Sequence, residues 1–210
     1  MQSGALYSML GSASCGSAVQ GARAGEAAAE YALNAQRSSL VDAGTITKLM
    51  FAPRERTKGF TPAWVTRVLQ NTMTPYFVLY VKKEDRLKAA LANVEFLRDH
   101  MVPLLIAQDT HALRLAHETR NMILNAEMKL RASLFRTESR GTHYREDYPA
   151  RNDCQWLAWV KMKPGPDGTM TLSKQLVPDA WKPNPLLPYE QRYPNRFPGE
   201  LEFLGRQSCA

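Results

Sequence analysis

Between residues 61 and 136 apolar side chains recur at helical spacing in three successive stretches, with prolines marking the breaks between the early ones. Thr61-Pro62 reads as an N-cap followed by proline at the first helical position, where its missing N–H is no loss. That helix is predicted to run to about Met73, and Thr74-Pro75 ends it, because the residue before a proline is pushed out of helical geometry. The run 76–81 reads equally as a short strand or as the lead-in to a second helix. Over 82–101, Leu87, Leu91, Val94, Leu97 and Met101 share one face, with Pro103 as the limit. Asp109 or Thr110 then caps a third helix to about Arg136, which turns Leu115, Thr119, Ile123, Ala126, Leu130 and Leu134 inward. Three apolar stripes with short connections need one another as partners. A three-helix bundle over 60–140 follows.

The flanks are different. Residues 1–25 are rich in Gly, Ser and Ala and run into Glu26-Ala-Ala-Ala-Glu30, which predicts a helix built from small residues. Ala13, Gly16, Ala18, Gly21, Ala22 and Gly25 recur at intervals of three to four, so this helix cannot build a core of its own. It suits a surface that another backbone or a planar ligand approaches closely. Residues 37–59 contain Pro53 and a charge cluster, and read as a linker of variable structure. After Gly141 prolines concentrate. The stretches 155–163 and 170–176 flank Pro164-Gly165-Pro166-Asp167-Gly168 and predict a β-hairpin. Beyond Pro178 the chain is predicted to be extended, so 141–210 forms a C-terminal extension on a mainly α protein.

Composition removes several function classes. The 210 residues are 44% hydrophobic and 22% charged, as in globular domains. No apolar run reaches the roughly 20 residues that a bilayer demands. Residues 1–20 hold no Lys or Arg, so the charged start of a secretory signal is missing. The expected location is the cytoplasm, or the cytoplasmic side of a membrane through a partner. The net charge is +7, but 27 basic residues are interspersed with 20 acidic ones. That pattern predicts a mixed solvated surface and no nucleic acid partner. Cys15, Cys154 and Cys209 are far apart and form no C-x-x-C pair, so neither a zinc knuckle nor a disulfide framework is expected. His100, His111 and His117 have no companion at metal-ligand spacing, and no metal site is predicted.

The densest signal is Arg136-Thr-Glu-Ser-Arg-Gly-Thr-His143-Tyr-Arg-Glu-Asp-Tyr-Pro149, followed by Asp153 and Trp156. It resembles the R-x-E-S-R-G-x-H-x-R-x-D-x-P signature in the C-terminal helical domain of the succinate dehydrogenase and fumarate reductase flavoproteins, a family that includes aspartate oxidase and adenylylsulfate reductase. Asn121-Met-Ile-Leu-Asn-Ala-Glu127 is similar to the family's last helix. Independently, Gly11-Ser-Ala-Ser-Cys-Gly-Ser-Ala-Val-Gln-Gly21-Ala-Arg-Ala-Gly25 resembles the final helix of the family's FAD-binding domain. The resemblance implies FAD as cofactor, with the backbone around Gly11, Ser12, Ala13 and Ser14 facing the pyrimidine edge of the flavin ring. A helix N-terminus suits that place, since its unpaired N–H groups favour the negative charge of a reduced flavin.

By the same resemblance, residues 1–36 correspond to the terminal helix of a FAD-binding domain. The family's G-x-G-x-x-G turn and capping domain have no counterpart here, and Met1 resembles an internal methionine. The implied function is the C-terminal segment of a FAD-dependent oxidoreductase. It would brace the flavin site, and hydride would move only together with the FAD-binding and capping portions. The implied partners are that FAD-binding portion and, as in some members, an iron–sulfur electron-transfer subunit. The sequence departs from the family at Ser8, near where dicarboxylate-handling members carry an Arg. A hydroxyl cannot supply that charge. The alternative, from a different class, is a non-catalytic interaction module derived from such a flavoprotein.

Arg136, Glu138, Arg140, His143, Arg145 and Asp147 admit two readings. They are an ion-pair lock at a domain interface, or groups that steer charge near the flavin, with His143 and Arg140 the candidate catalytic residues. Cys15 is read as a small packed residue or as a thiol activated by the helix start. Trp156, Trp159 and Trp181, with Tyr144 and Tyr148, are read as core or interface aromatics of the hairpin region.

Overall fold

The computed structural model describes residues 12–36, 42–165 and 169–193. It is mainly α, and it divides into two compact units, 1–49 and 50–210. The first holds helix α1 (Ser12–Asn34), which is exposed along the residues whose burial is described, apart from the half-buried Gly16. A Cβ placed on Gly16, Gly21 or Gly25 would meet no atom within 4 Å. Within the stretch expected as a linker, Ala43–Glu55 forms a helix, α2, which Asp42 opens. Asp42 accepts from the Gly44 amide at 3.0 Å and the Thr45 hydroxyl at 2.5 Å, the pattern of an N-terminal cap. This cap holds the Asp42 carboxyl below its usual range.

In the second unit the three expected helices are present as α3 (Pro62–Met73), α5 (Glu84–Phe96) and α6 (Thr110–Phe135). Proline opens α3 at its first turn, and Asp109 caps α6 by accepting from Ala112 N at 2.7 Å. Their apolar faces meet: Val65 and Leu69 from α3, Leu87 and Val94 from α5, and Ile123 and Leu130 from α6 are all buried in one core. Leu97 joins them from a π-helical turn, Leu97–Met101, which extends α5 as far as the sequence stripe predicted.

The ambiguous run 76–81 does both things the sequence allowed. Tyr76–Leu79 is a single helical turn, α4, and the chain then straightens into a two-residue strand, β1 (Val81–Lys82). β1 pairs in parallel with β2 (Tyr144–Arg145), so the loop after α6 is clipped to the start of α5. A second crossing is tighter. Phe60 N donates to Leu104 O at 2.9 Å and Ile106 N to Phe60 O at 3.0 Å. Gly59 precedes this crossing with φ +155, and a Cβ there would lie 2.0 Å from Leu104 O. Only glycine fits.

The hairpin is β3 (Ala158–Pro164) against β4 (Met170–Leu176), antiparallel from Ala158↔Leu176 to Pro164↔Met170. Trp156 is not in it. Asn152 accepts from Gln155 N at 3.1 Å and caps a single turn, α7 (Asp153–Trp156), which buries the indole. The exposed Trp159 and Trp181 stack edge to face at 5.9 Å. The tail is not wholly extended, since Tyr189–Arg192 forms one more turn, α8. Among the described residues no helix is long and apolar enough to cross a membrane, and no group of three or more His, Cys, Asp or Glu could hold a metal ion.

Candidate functional site

α6 stops at Phe135, and its last carbonyls need donors that the helix no longer supplies. Arg145, 1% exposed, provides them: its Nη1 lies 2.8 Å from Ser133 O and 3.3 Å from Arg136 O. The rest of that guanidinium grips Asp147 bidentately, with both contacts at 2.7 Å. Asp147 in turn accepts from Glu84 N at 3.0 Å, at the start of α5. Burial works against the Asp147 charge, but Arg145 and the Glu84 amide hold its carboxyl below the usual range. One Arg–Asp pair thus joins the end of α6 to the beginning of α5.

Glu138 is the centre of a second set. It is fully buried, and both of its oxygens are saturated. Oε1 accepts from Arg136 and, at 2.8 Å, from Arg140 Nε; Oε2 accepts from Arg140 Nη2 at 3.0 Å and from Asn152 N at 2.8 Å. Arg140 also reaches Asp153 at 2.5 Å, and Asp153 takes the Tyr193 hydroxyl at 2.5 Å. Burial opposes the Arg140 charge, yet Glu138 and Asp153 outweigh it and hold the guanidinium more firmly protonated than usual. Burial prevails at Arg136, whose affinity for its proton falls. Arg136 also donates to Ala158 O at 2.5 Å and Trp156 O at 3.2 Å, and lies over the Trp156 ring. The indole Nε1 donates to Thr137 Oγ1 at 2.9 Å.

His143 stands beside this set. The backbones of Arg140 and His143 pair in both directions at 2.8 and 2.9 Å across a two-residue turn, with Gly141 at φ +60. Its Nε2 is 3.4 Å from Arg136 O; a carbonyl only accepts, so that nitrogen carries the proton. Burial pushes the imidazole down to about 4, and Lys82, Arg136 and Arg145 add repulsion. The ring is therefore neutral at pH 7. Lys82 itself is 4% exposed, its ammonium 3.4 Å from Tyr80 O, and burial lowers it to about 8 with help from Lys129 and Arg145.

The structure brings together Arg136, Glu138, Arg140, His143, Arg145 and Asp147, all six interface candidates, around one helix end. Of the candidate flavin contacts, Ser12, Ala13 and Ser14 form the first turn of α1, while Gly11 and Ser8 lie outside the described residues. That first turn holds no acidic residue, so its positive end is uncompensated by the helix's own side chains, and the glycine positions are open to close approach. Both features fit an anionic planar ring. Cys15 is a free, exposed thiol.

Sequence reading missed Lys82, Asn152, Tyr193 and Glu127. Glu127 is buried on α6 and bonded to Arg98 at 2.5 Å and Arg131 at 2.8 Å. A carboxylate on the inward stripe between Ala126 and Leu130 was its signal. Tyr193 lies in a segment without periodicity and offered none.

Residues 66–186 match the family model described as fumarate reductase flavoprotein C-term. Over 142 residues the chain is 30% identical to a chain of the fumarate reductase (CoM/CoB) of Methanothermobacter marburgensis, covering 66% of this chain and 26% of that protein. An uncharacterized FAD-dependent oxidoreductase of Methanocaldococcus jannaschii is 27% identical over 153 residues, 73% of this chain and 28% of its own. The structure superposes on Mycobacterium smegmatis Sdh1 in complex with UQ1 with a TM-score of 0.63 at 26% identity, covering 79% of this chain and 29% of that one. The chain thus spans under a third of the length of these relatives. With the knot around Glu138 inside the matched stretch, the chain belongs to the C-terminal family of fumarate reductase and succinate dehydrogenase flavoproteins.

Proposed function

We propose that this chain is the C-terminal segment of a FAD-dependent oxidoreductase, that it braces the flavin site, and that it acts only with FAD-binding and capping portions. FAD, when bound, supplies the hydride chemistry. The backbone amides of Ser12, Ala13 and Ser14 present the positive end of α1 to the anionic edge of the ring, and Gly16, Gly21 and Gly25 permit close contact.

One observation carries the bracing role. The polar side chains of the motif are engaged with one another or with backbone: Glu138 has four donors, Arg145 and Asp147 bind each other, and His143 is neutral at pH 7. Such a cluster fixes α6, the β1–β2 clip and the hairpin base into one body. It leaves His143 and Arg140 serving position rather than proton transfer. The expected setting is cytoplasmic, with any membrane or electron-transfer association made through an iron–sulfur partner.

The test is complementation. The chain alone should be colourless; mixed or co-expressed with a FAD-binding and capping portion of the same flavoprotein, it should give a complex that retains flavin absorbance through gel filtration. If both pieces fold and no flavin-bearing complex forms, the reading fails and a non-catalytic interaction module takes its place.

A further inference from the structure

Apart from the knot, unit 50–210 contains a cleft of about 410 Å³. Its walls come from Met50 on α2, Val102 after the π-turn, and Ile123 and Leu124 on α6, an apolar lining. Two polar groups of α6 stand among them, Arg120 and Asn121. The volume lies within the usual range of small-molecule sites, roughly 300–1,000 Å³.

The charges in the cleft are unequal. Arg98 is occupied: it binds Asp99 through two contacts, at 2.7 and 2.8 Å, and Glu127 at 2.5 Å, and these carboxylates hold it firmly charged. His117 uses Nε2 on Met50 O at 2.9 Å. The exposed side chains of Arg120 and Asn121, by contrast, have no hydrogen-bond or ion-pair partner among the described residues. One unmatched positive charge, with a planar fork of donors and an amide next to it, faces an apolar lining. A guanidinium of this kind pairs with carboxylate in bidentate fashion. A doubly charged phosphate would ask for a second cation, and Arg98 is already neutralised.

We infer that this cleft binds a monocarboxylate with an apolar tail, with its head on Arg120 and Asn121 and its tail along Met50, Val102 and Leu124. The inference is independent of the flavin reading, because it uses no residue of α1 or of the Glu138 knot.

The test is a titration of the full chain with octanoate, followed through the methyl resonances of Met50, Val102 and Leu124. Saturable shifts are expected at these methyls, with acetate and octanol each binding at least ten-fold more weakly, because one lacks the tail and the other the charge. Arg120→Ala, an exposed substitution, should weaken octanoate at least ten-fold and leave octanol unchanged. Equal affinity for octanol and octanoate, an unaltered Arg120→Ala titration, or no saturable shift would each overturn the assignment.

Discussion

Glu127 and Glu138 are both sealed from water, at 1% and 0% exposure, and each is held by two arginines. They differ in how completely. Glu138 fills both oxygens with four donors, one of them the backbone amide of Asn152. Glu127 places both arginines on Oε1, and its Oε2 has no hydrogen-bond partner among the described residues. The settings differ as well. Glu127 lies on a helix whose position is already fixed by Ile123 and Leu130 in the core. Glu138 lies in a loop with no apolar periodicity, where the ion pairs themselves decide the path of the chain. A buried carboxylate on a regular element is an addition to the fold; one inside an irregular loop is its organiser.

The sharpest way to break this comparison is to remove each carboxylate. Glu138→Ala leaves Arg140 with Asp153, and strips the Asn152 amide of its acceptor. It also removes the only carboxylate that faces the largely buried Arg136 among the described residues, leaving it backbone carbonyls alone, so it should cost about 3–5 kcal/mol of stability. Glu127→Ala leaves Arg98 with Asp99 and Arg131 with Glu95 at 2.6 Å, so the loss should be about 1–2 kcal/mol. Urea denaturation of both variants measures the difference. Equal losses would remove the distinction between organiser and addition.

Acid should reach the Glu138 set through His143. Its pKa in the folded protein, about 4, lies below the ordinary 6.5, so between those values the unfolded chain binds more protons. Stability contributed by the neutral ring is therefore present above pH 6.5 and lost as pH falls toward 4. After allowance for partial exposure the loss is on the order of 2 kcal/mol. His143→Gln should flatten that limb of the stability profile, and an unchanged slope would show that the ring is not buried as described.

Lys82 gives the alkaline counterpart. Its folded pKa of about 8 lies below the ordinary 10.5, so stability rises with pH across that interval as the unfolded chain holds the extra proton. Lys82→Met should stabilise the protein at pH 7 by about 1–2 kcal/mol. The advantage should shrink between pH 8 and 10.5. A constant difference over that range would mean that packing, not the buried charge, separates the two forms.

The same contrast explains what the sequence made legible. α3, α5 and α6 could be read because side chains such as Leu87, Val94, Ile123 and Leu130 repeat with the period of the element that buries them. The Glu138 motif could be recognised as a unit through its family resemblance, and its mutual pairing was one of two open readings. The β1–β2 clip could not be seen, since Val81–Lys82 and Tyr144–Arg145 are too short to carry a period and lie on either side of α5 and α6. Lys82 was hidden for the same reason. Alternation with Ala158 points Trp156 toward the hairpin; the cap at Asn152, also present in the sequence, is what turns it into α7. The helix over Ala43–Glu55 was missed because Pro53 suggested a break, although it sits near the helix end, and the structure buries it.

The smallest expected effect tests whether pairing alone can account for the two glutamates. Arg114 and Glu118 form an (i, i+4) ion pair on α6, like Arg131 and Glu127, but their side chains are 57% and 49% exposed. Water solvates both charges nearly as well apart as together, and salt screens what attraction remains. Arg114→Ala should shift stability by no more than about 0.5 kcal/mol, and less at high salt. If this exposed pair matched the loss at Glu127, helix geometry would outweigh burial, and the ordering of Glu138, Glu127 and Glu118 by enclosure would collapse. Urea midpoints of the three variants at two salt concentrations decide it, because only the exposed pair should respond strongly to the ions.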